Sequence, residues 1–129
     1  MPKPKKIQEF EYRLTIVPHF NEQRQIPTTL VTIETTKQFA SFRYELSIKE
    51  SFQEKELRYK ILGLKAPQLS LPTSGTAQFV REYDRFKGRY AVVVENLDGT
   101  ENAFSVNFLQ KGTNILKSPK SPFIELVAE

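Results

Sequence analysis

His19, the single histidine, is the first residue to consider for catalysis, because a Ser-His-Asp triad needs an imidazole as its general base. It follows Pro18 near the end of an alternating apolar and polar stretch, and no Gly-x-Ser-x-Gly motif occurs in the chain. The chain has no cysteine, which excludes thiol nucleophiles, disulfides and thiolate metal sites. We therefore expect His19 to be an ordinary loop or edge residue.

Carboxylates could supply acid–base or metal chemistry. A catalytic pair must meet in one cleft, but the only two aspartates, Asp84 and Asp98, stand in predicted turns. The stretch ENLDGTEN (95–102) offers oxygen ligands, yet its glycine is fourth in a loop counted from Asn96, whereas a calcium-binding EF-hand loop has glycine sixth. The five glycines form no phosphate-binding motif. The sequence therefore predicts no enzyme, no metal site and no cofactor.

The stretch REYDRFKGR (81–89) has the most distinctive surface chemistry, because cations alternate with aromatic rings. Cations can hold phosphates while exposed rings stack on bases. The alternative is that the two rings plug the end of the fold, and the acidic Glu82 and Asp84 in the same run weaken the binding interpretation. The candidate surface patch consists of Arg81, Tyr83, Arg85, Phe86, Lys87 and Arg89.

The positive charge of the chain lies in its ends. The formal net charge is +4, and six lysines in residues 1–6 and 111–129 stand against two glutamates there. Those end segments account for the whole excess, so residues 7–110 are formally neutral. The basic isoelectric point alone is therefore no evidence for a basic face on the fold.

Period-2 alternation of apolar and polar residues is the dominant pattern, and it is typical of strands with one buried face. Tyr90–Val94 is apolar on both faces, which indicates a central strand. Asp98-Gly99 predicts a two-residue type I′ hairpin turn, because that turn needs positive φ at both central residues. The seven predicted strands span 10–16, 28–36, 42–48, 57–61, 75–83, 90–94 and 104–108.

The chain divides into one domain and two ends. Residues 1–6 are too polar and proline-rich to fold alone, so a disordered basic tail is expected there. Residues 7–110 form the predicted β-sandwich domain. Residues 111–129 read as a linker followed by a short apolar tip, FIELV, which could add as a strand to the sheet edge of a partner or of a second copy, complete its own sheet, or be disordered.

The stretch KGRYAVVVEN resembles the sixth strand of the immunoglobulin-like superfamily, including fibronectin type III domains. Tyr90 matches the corner tyrosine of that strand, and Val92 and Val94 match its core positions. The resemblance implies a seven-stranded antiparallel immunoglobulin-like β-sandwich. The alternative fold is a small antiparallel β-barrel, because strand count and alternation do not separate the two.

The functional expectation is a soluble, non-enzymatic binding, interaction or assembly module that acts through loops, a sheet edge or the C-terminal tail. Its partner would be protein, either a second copy or another chain. One alternative is binding of nucleic acid or another anionic polymer through the basic tails and residues 81–89. Another is a small ligand or carbohydrate in an aromatic-lined pocket. The sequence predicts no membrane span, and the absence of cysteine is compatible with the cytoplasm.

Overall fold

The computed structural model describes residues 10–39, 44–66 and 75–129, and for Phe39 the backbone alone. The predicted basic tail at 1–6 lies outside these residues, as does part of the predicted strand at 42–48. The described residues form nine strands and no helix, so the all-β prediction is confirmed. The strands are β1 (Tyr12–Asn21), β2 (Ile26–Phe39), β3 (Glu45–Gln53), β4 (Glu56–Lys65), β5 (Gly75–Asp84), β6 (Gly88–Glu95), β7 (Glu101–Leu109), β8 (Gly112–Lys117) and β9 (Ile124–Ala128).

The strands form one sheet in the order β8-β7-β6-β4-β3-β5-β2-β1-β9, which curls until β8 lies beside β9. The predicted seven-stranded antiparallel sandwich is therefore wrong: the fold is a single, nearly closed, barrel-like sheet. It is also mixed, since β1 pairs in parallel with β9, and β4 with β6. Odd-numbered strands run towards one end of the barrel, called the lower end below, and even-numbered strands run away from it.

Alternating side chains build the core, as the period-2 pattern predicts. Inward residues of the strands form one continuous cluster, and most of its members are less than 2% exposed. Side chains therefore fill the barrel, which follows from burying one face of each strand. The largest fully buried side chains of the cluster are those of Leu14, Ile16, Val31, Ile33, Leu57, Tyr59, Ile61, Val92, Val94, Val106 and Ile124.

Two strands come from the segment in which a linker was predicted. Gly112–Lys117 forms β8, which pairs with β7, and Ile124–Ala128 forms β9, which pairs with β1. The apolar tip thus completes its own sheet, and Ile124 is fully buried. Pattern analysis does not detect β8, because its residues are mostly exposed and therefore do not alternate between apolar and polar. The lysines and prolines around it favour the linker interpretation.

The hairpin turns differ from the prediction. In the β6–β7 turn only Gly99 has positive φ (88°), and its N–H donates to the Asn96 carbonyl, which describes a type I turn followed by a glycine bulge. Positive φ at two consecutive residues occurs instead in the β3–β4 turn, at Glu54 (45°) and Lys55 (64°). The predicted type I′ turn at Asp98-Gly99 is therefore wrong, because the loop is one residue longer.

Candidate functional site at the lower end of the barrel

An aromatic cluster, called the aromatic plug below, closes the lower end of the barrel. Phe86 lies at its centre in the short β5–β6 connection, and its ring centroid is 4.9–5.7 Å from those of the four other rings. Phe86 is 8% exposed and so belongs to the core. The plug consists of Phe52, Tyr83, Phe86, Tyr90 and Phe108.

A polar chain fills the seam between β3 and β5, two strands that pair only between Glu45 and Gln78. The Tyr83 hydroxyl donates to Glu50 Oε2 (2.6 Å) and lies 2.9 Å from the Tyr59 hydroxyl, while Arg81 Nε donates to Glu50 Oε1 (2.7 Å). Side-chain hydrogen bonds thus join these strands where backbone pairing ends.

Burial and hydrogen bonding shift the pKa values in this chain. Burial raises the pKa of the Glu50 carboxyl, but hydrogen bonds from Tyr83 and Arg81 outweigh it, so the pKa lies below its usual value. Burial also raises the pKa of Tyr59 and of Tyr83 far above the usual range. Both phenols therefore stay protonated and are poor candidates for general bases.

Three residues of the candidate surface patch are engaged in contacts within the fold, which leaves its other three residues to consider. Arg81 is bound to Glu50 and its guanidinium lies 4.6 Å from the Phe79 ring centroid. Tyr83 is half-buried and Phe86 is buried, so neither predicted ring offers an open face for stacking. The remaining members are the cations Arg85, Lys87 and Arg89.

Arg85 and Lys87 line a groove of about 560 Å³ on the outer side of the plug. Arg85 Nη2 donates to the carbonyls of Leu109 (3.3 Å) and Gln110, which holds the β7–β8 turn. Arg89 is exposed on β6, directly opposite Asn107 on β7, and Asn107 also lines the groove. We call this the basic groove.

Lys111 and Lys55 lie at the same end; Lys111 belongs to the basic C-terminal segment noted in the sequence, whereas sequence analysis did not select Lys55. Lys111 is exposed in the β7–β8 turn, next to the carbonyls that bind Arg85. Lys55 lies in the β3–β4 turn with Nζ 6.0 Å from the Tyr90 ring centroid, and a Cβ built on Gly88 would be 3.6 Å from that Nζ. Lys55 and Gly88 are distant in sequence, so no local pattern could have placed them together.

His19 contacts a glutamate among the described residues. Its Nε2 lies 3.6 Å from Glu82 Oε2, and the Thr28 hydroxyl donates to the same carboxylate oxygen at 3.2 Å. Among the described residues no hydroxyl is hydrogen-bonded to the imidazole, so the nucleophile–base contact of a triad is missing. His19 also lines a pocket of about 220 Å³ between the β1–β2 and β7–β8 hairpins.

The ENLDGTEN loop uses its oxygens within the fold. Asp98 Oδ1 accepts from the Thr100 N–H (2.9 Å), and Asn102 Oδ1 accepts from the Phe123 N–H (2.8 Å). The Asn96 amide donates to Glu11 Oε2 at 2.7 Å. These oxygens do not converge on one point, and the described part of the chain contains no cluster of three or more possible metal-ligating side chains.

Comparison with protein-family models, with curated proteins and with solved structures found no match to the chain. No family therefore supports the immunoglobulin-like resemblance, whose sheet topology the fold lacks. Within the described ranges no helix is long and apolar enough to cross a membrane.

Proposed function

We propose that this chain is a non-enzymatic binding module, and that it recognises an anionic partner through the basic groove at the lower end of the barrel. The observation that carries the proposal is that cations at this end form no ion pair with a described carboxylate. Lys87, Arg89 and Lys111 have no carboxylate of the described residues within 4.0 Å, although six other cations do. The paired cations are Arg13, Arg24, Arg58, Lys60, Lys65 and Arg81.

Unpaired like charges that share one end of a small fold repel one another, and a bound anion relieves that repulsion. Arg85 adds a guanidinium whose described contacts use Nη2 alone, so Nε and Nη1 face no described acceptor. The groove therefore offers several donors to one negatively charged group, such as a phosphate, a sulfate or a carboxylate.

The other routes expected from the sequence have less support. The apolar tip is paired with β1 as β9, so strand addition to a partner would require it to leave the barrel. The free edge of β8 exposes Ile115 and Leu116 but carries no feature that identifies a partner. The filled interior argues against a small ligand or carbohydrate inside the barrel.

The first test measures binding of a labelled heparin fragment by fluorescence anisotropy at increasing salt. We expect binding at low ionic strength that weakens as salt rises, because surface charges are screened. The double variant Lys87→Gln/Arg89→Gln should reduce the slope of log K against log salt by roughly 1 per removed contact.

The matched control is Lys117→Gln/Lys120→Gln, which removes the same charge from exposed positions away from the lower end. It should leave the slope nearly unchanged. Absence of heparin binding at low salt, or equal losses in both double variants, would contradict the proposed function.

A further inference from the structure

We infer that the lower end of the barrel binds single-stranded nucleic acid, with phosphates in the basic groove and a base stacked on Phe52. This inference rests on the proposed function and names the class of anion. Nucleic-acid binding through residues 81–89 was one alternative expected from the sequence, but the stacking ring was not: Tyr83 and Phe86 are turned into the plug, whereas Phe52 lies on a different hairpin.

Phe52 is the open ring of the aromatic plug. It is 50% exposed and stands next to the last residue of β3. Its ring stacks on Phe86 (centroids 5.7 Å apart, planes at 23°) and on Tyr90 (6.1 Å, 25°). A ring held by two neighbours loses little conformational freedom on binding, which makes it a prepared stacking surface.

Positive side chains lie at the same end of the barrel as this ring. Lys55 follows Phe52 in the β3–β4 turn and lies against Gly88, which stands between Lys87 and Arg89 in the chain. The open ring and these three positive side chains therefore occupy one end of the molecule, with Arg85 beyond them in the groove. Aromatic platforms flanked by cations are the general means by which proteins bind single strands without reading sequence.

The arrangement favours a single strand over other anions. A duplex keeps its base faces inside the helical stack, so a half-exposed ring at a barrel end cannot stack on them. A sulfated polysaccharide can form ion pairs with the cations, but it has no aromatic base that could stack on Phe52. The expected preference is therefore single strand over duplex, with little dependence on base sequence.

The test compares four labelled probes by fluorescence anisotropy: oligothymidylate, oligoadenylate, a DNA duplex and a heparin fragment. The substitution Phe52→Leu should lower the affinity for both oligonucleotides by about 5- to 150-fold, the range that corresponds to one base–aromatic stack. Its effect on heparin should stay below about twofold, since the cations are retained.

Phe20→Leu is the matched control. Phe20 is 51% exposed and also lies at the lower end, on the β1–β2 hairpin, but it takes part in no ring contact of the described residues. It should leave all four affinities unchanged. A second readout needs no variant: titration of the unmodified protein with oligothymidylate should shift the NMR signals of the Phe52 ring protons.

The outcomes separate the two proposals. If oligonucleotides and heparin both bind but Phe52→Leu weakens neither and the Phe52 signals do not move, the stacking inference is overturned and the anion-binding function stands. A duplex bound as tightly as the single strands would also overturn it. If no probe binds at low salt, both proposals fail.

Discussion

The Glu50 side chain joins β3 to β5 by hydrogen bonds where the backbone pairing of these strands ends. Below the single β3–β5 pairing, its carboxylate accepts hydrogen bonds from Tyr83 and Arg81, and Tyr83 in turn contacts Tyr59 in the core. The carboxylate is partly exposed, so its own charge remains hydrated while it joins the two strands. The seam should therefore depend on the ionised form of this residue.

Stability should respond to pH through Glu50. Because the folded-state pKa is lowered below 4.5, the ionised carboxylate stabilises the fold above that pH, and this contribution is lost as pH falls through the folded pKa. Glu50→Gln should cost about 1 kcal/mol at neutral pH, since it weakens charged hydrogen bonds. Urea unfolding at pH 7 and in steps below 4.5 should show the difference between wild type and variant narrowing.

Glu45→Gln is the control for that measurement, because Glu45 lies on β3 like Glu50 and forms an exposed ion pair with Lys65 on β4. Exposed pairs contribute little, so the loss of stability caused by Glu45→Gln should be the smaller of the two at pH 7. A Glu50→Gln deficit that stays constant down to the acid limit would show that the carboxylate charge is not what joins the seam.

At the scale of elements, the β3–β4 hairpin is built on a turn that its sequence does not favour. Glu54 and Lys55 both adopt positive φ, a conformation for which asparagine and glycine are the preferred residues. The hairpin also carries Phe52 and Lys55 to the lower end. Tertiary contacts, such as the hydrogen bond from the Ala91 N–H to the Lys55 carbonyl (3.0 Å), compensate for the local strain.

Glu54→Asn should therefore stabilise the protein by about 0.5 kcal/mol, because asparagine tolerates positive φ better than glutamate does. The measurement is the midpoint of urea denaturation. Glu22→Asn in the β1–β2 turn is the control, since Glu22 does not have positive φ and should gain nothing. An equal gain in both variants would indicate a general charge effect and not relief of strain in the turn.

At the scale of the whole molecule, closure of the barrel brings the two edges of the sheet together. Asn102 on β7 is 3% exposed, and its Oδ1 accepts from the N–H groups of Phe123 (2.8 Å) and Ile124 (3.4 Å) at the start of β9. This contact lies above the end of β8, where β7 has no other neighbour on that side. One amide thus bridges the gap that keeps the sheet from closing fully.

Asn102→Ala should lower the free energy of unfolding by about 2 kcal/mol and the Tm by roughly 6 °C, because it leaves buried N–H groups without an acceptor. Differential scanning calorimetry measures both quantities. Asn114→Ala, at an exposed position on β8, is the control and should change the Tm little. Similar small shifts in both variants would mean that the Asn102 amide does not hold the barrel together.

The properties that depend on neighbours in the chain were predictable. The all-β class and the inward residues of strands such as β1 and β7 follow from alternation, which needs only the next few residues. Phe86 as a plug was one of the two interpretations that the local pattern left open. The basic character of residues 85–89 was also visible in the sequence, although its function stays a prediction.

What tertiary structure alone decided are the contacts between distant segments. The strand order, the parallel pairs β1–β9 and β4–β6 and the recruitment of 112–128 depend on backbone pairing, which side-chain alternation does not encode. The same holds for the site: only the folded chain shows that Arg81 is paired, and that Lys87 and Arg89 have no carboxylate partner among the described residues. It also shows that Phe52 packs on Phe86 and that Lys55 lies against Gly88. Alternation specifies which face of a strand is buried, whereas the neighbouring strand at each edge is chosen by the packing of the whole barrel.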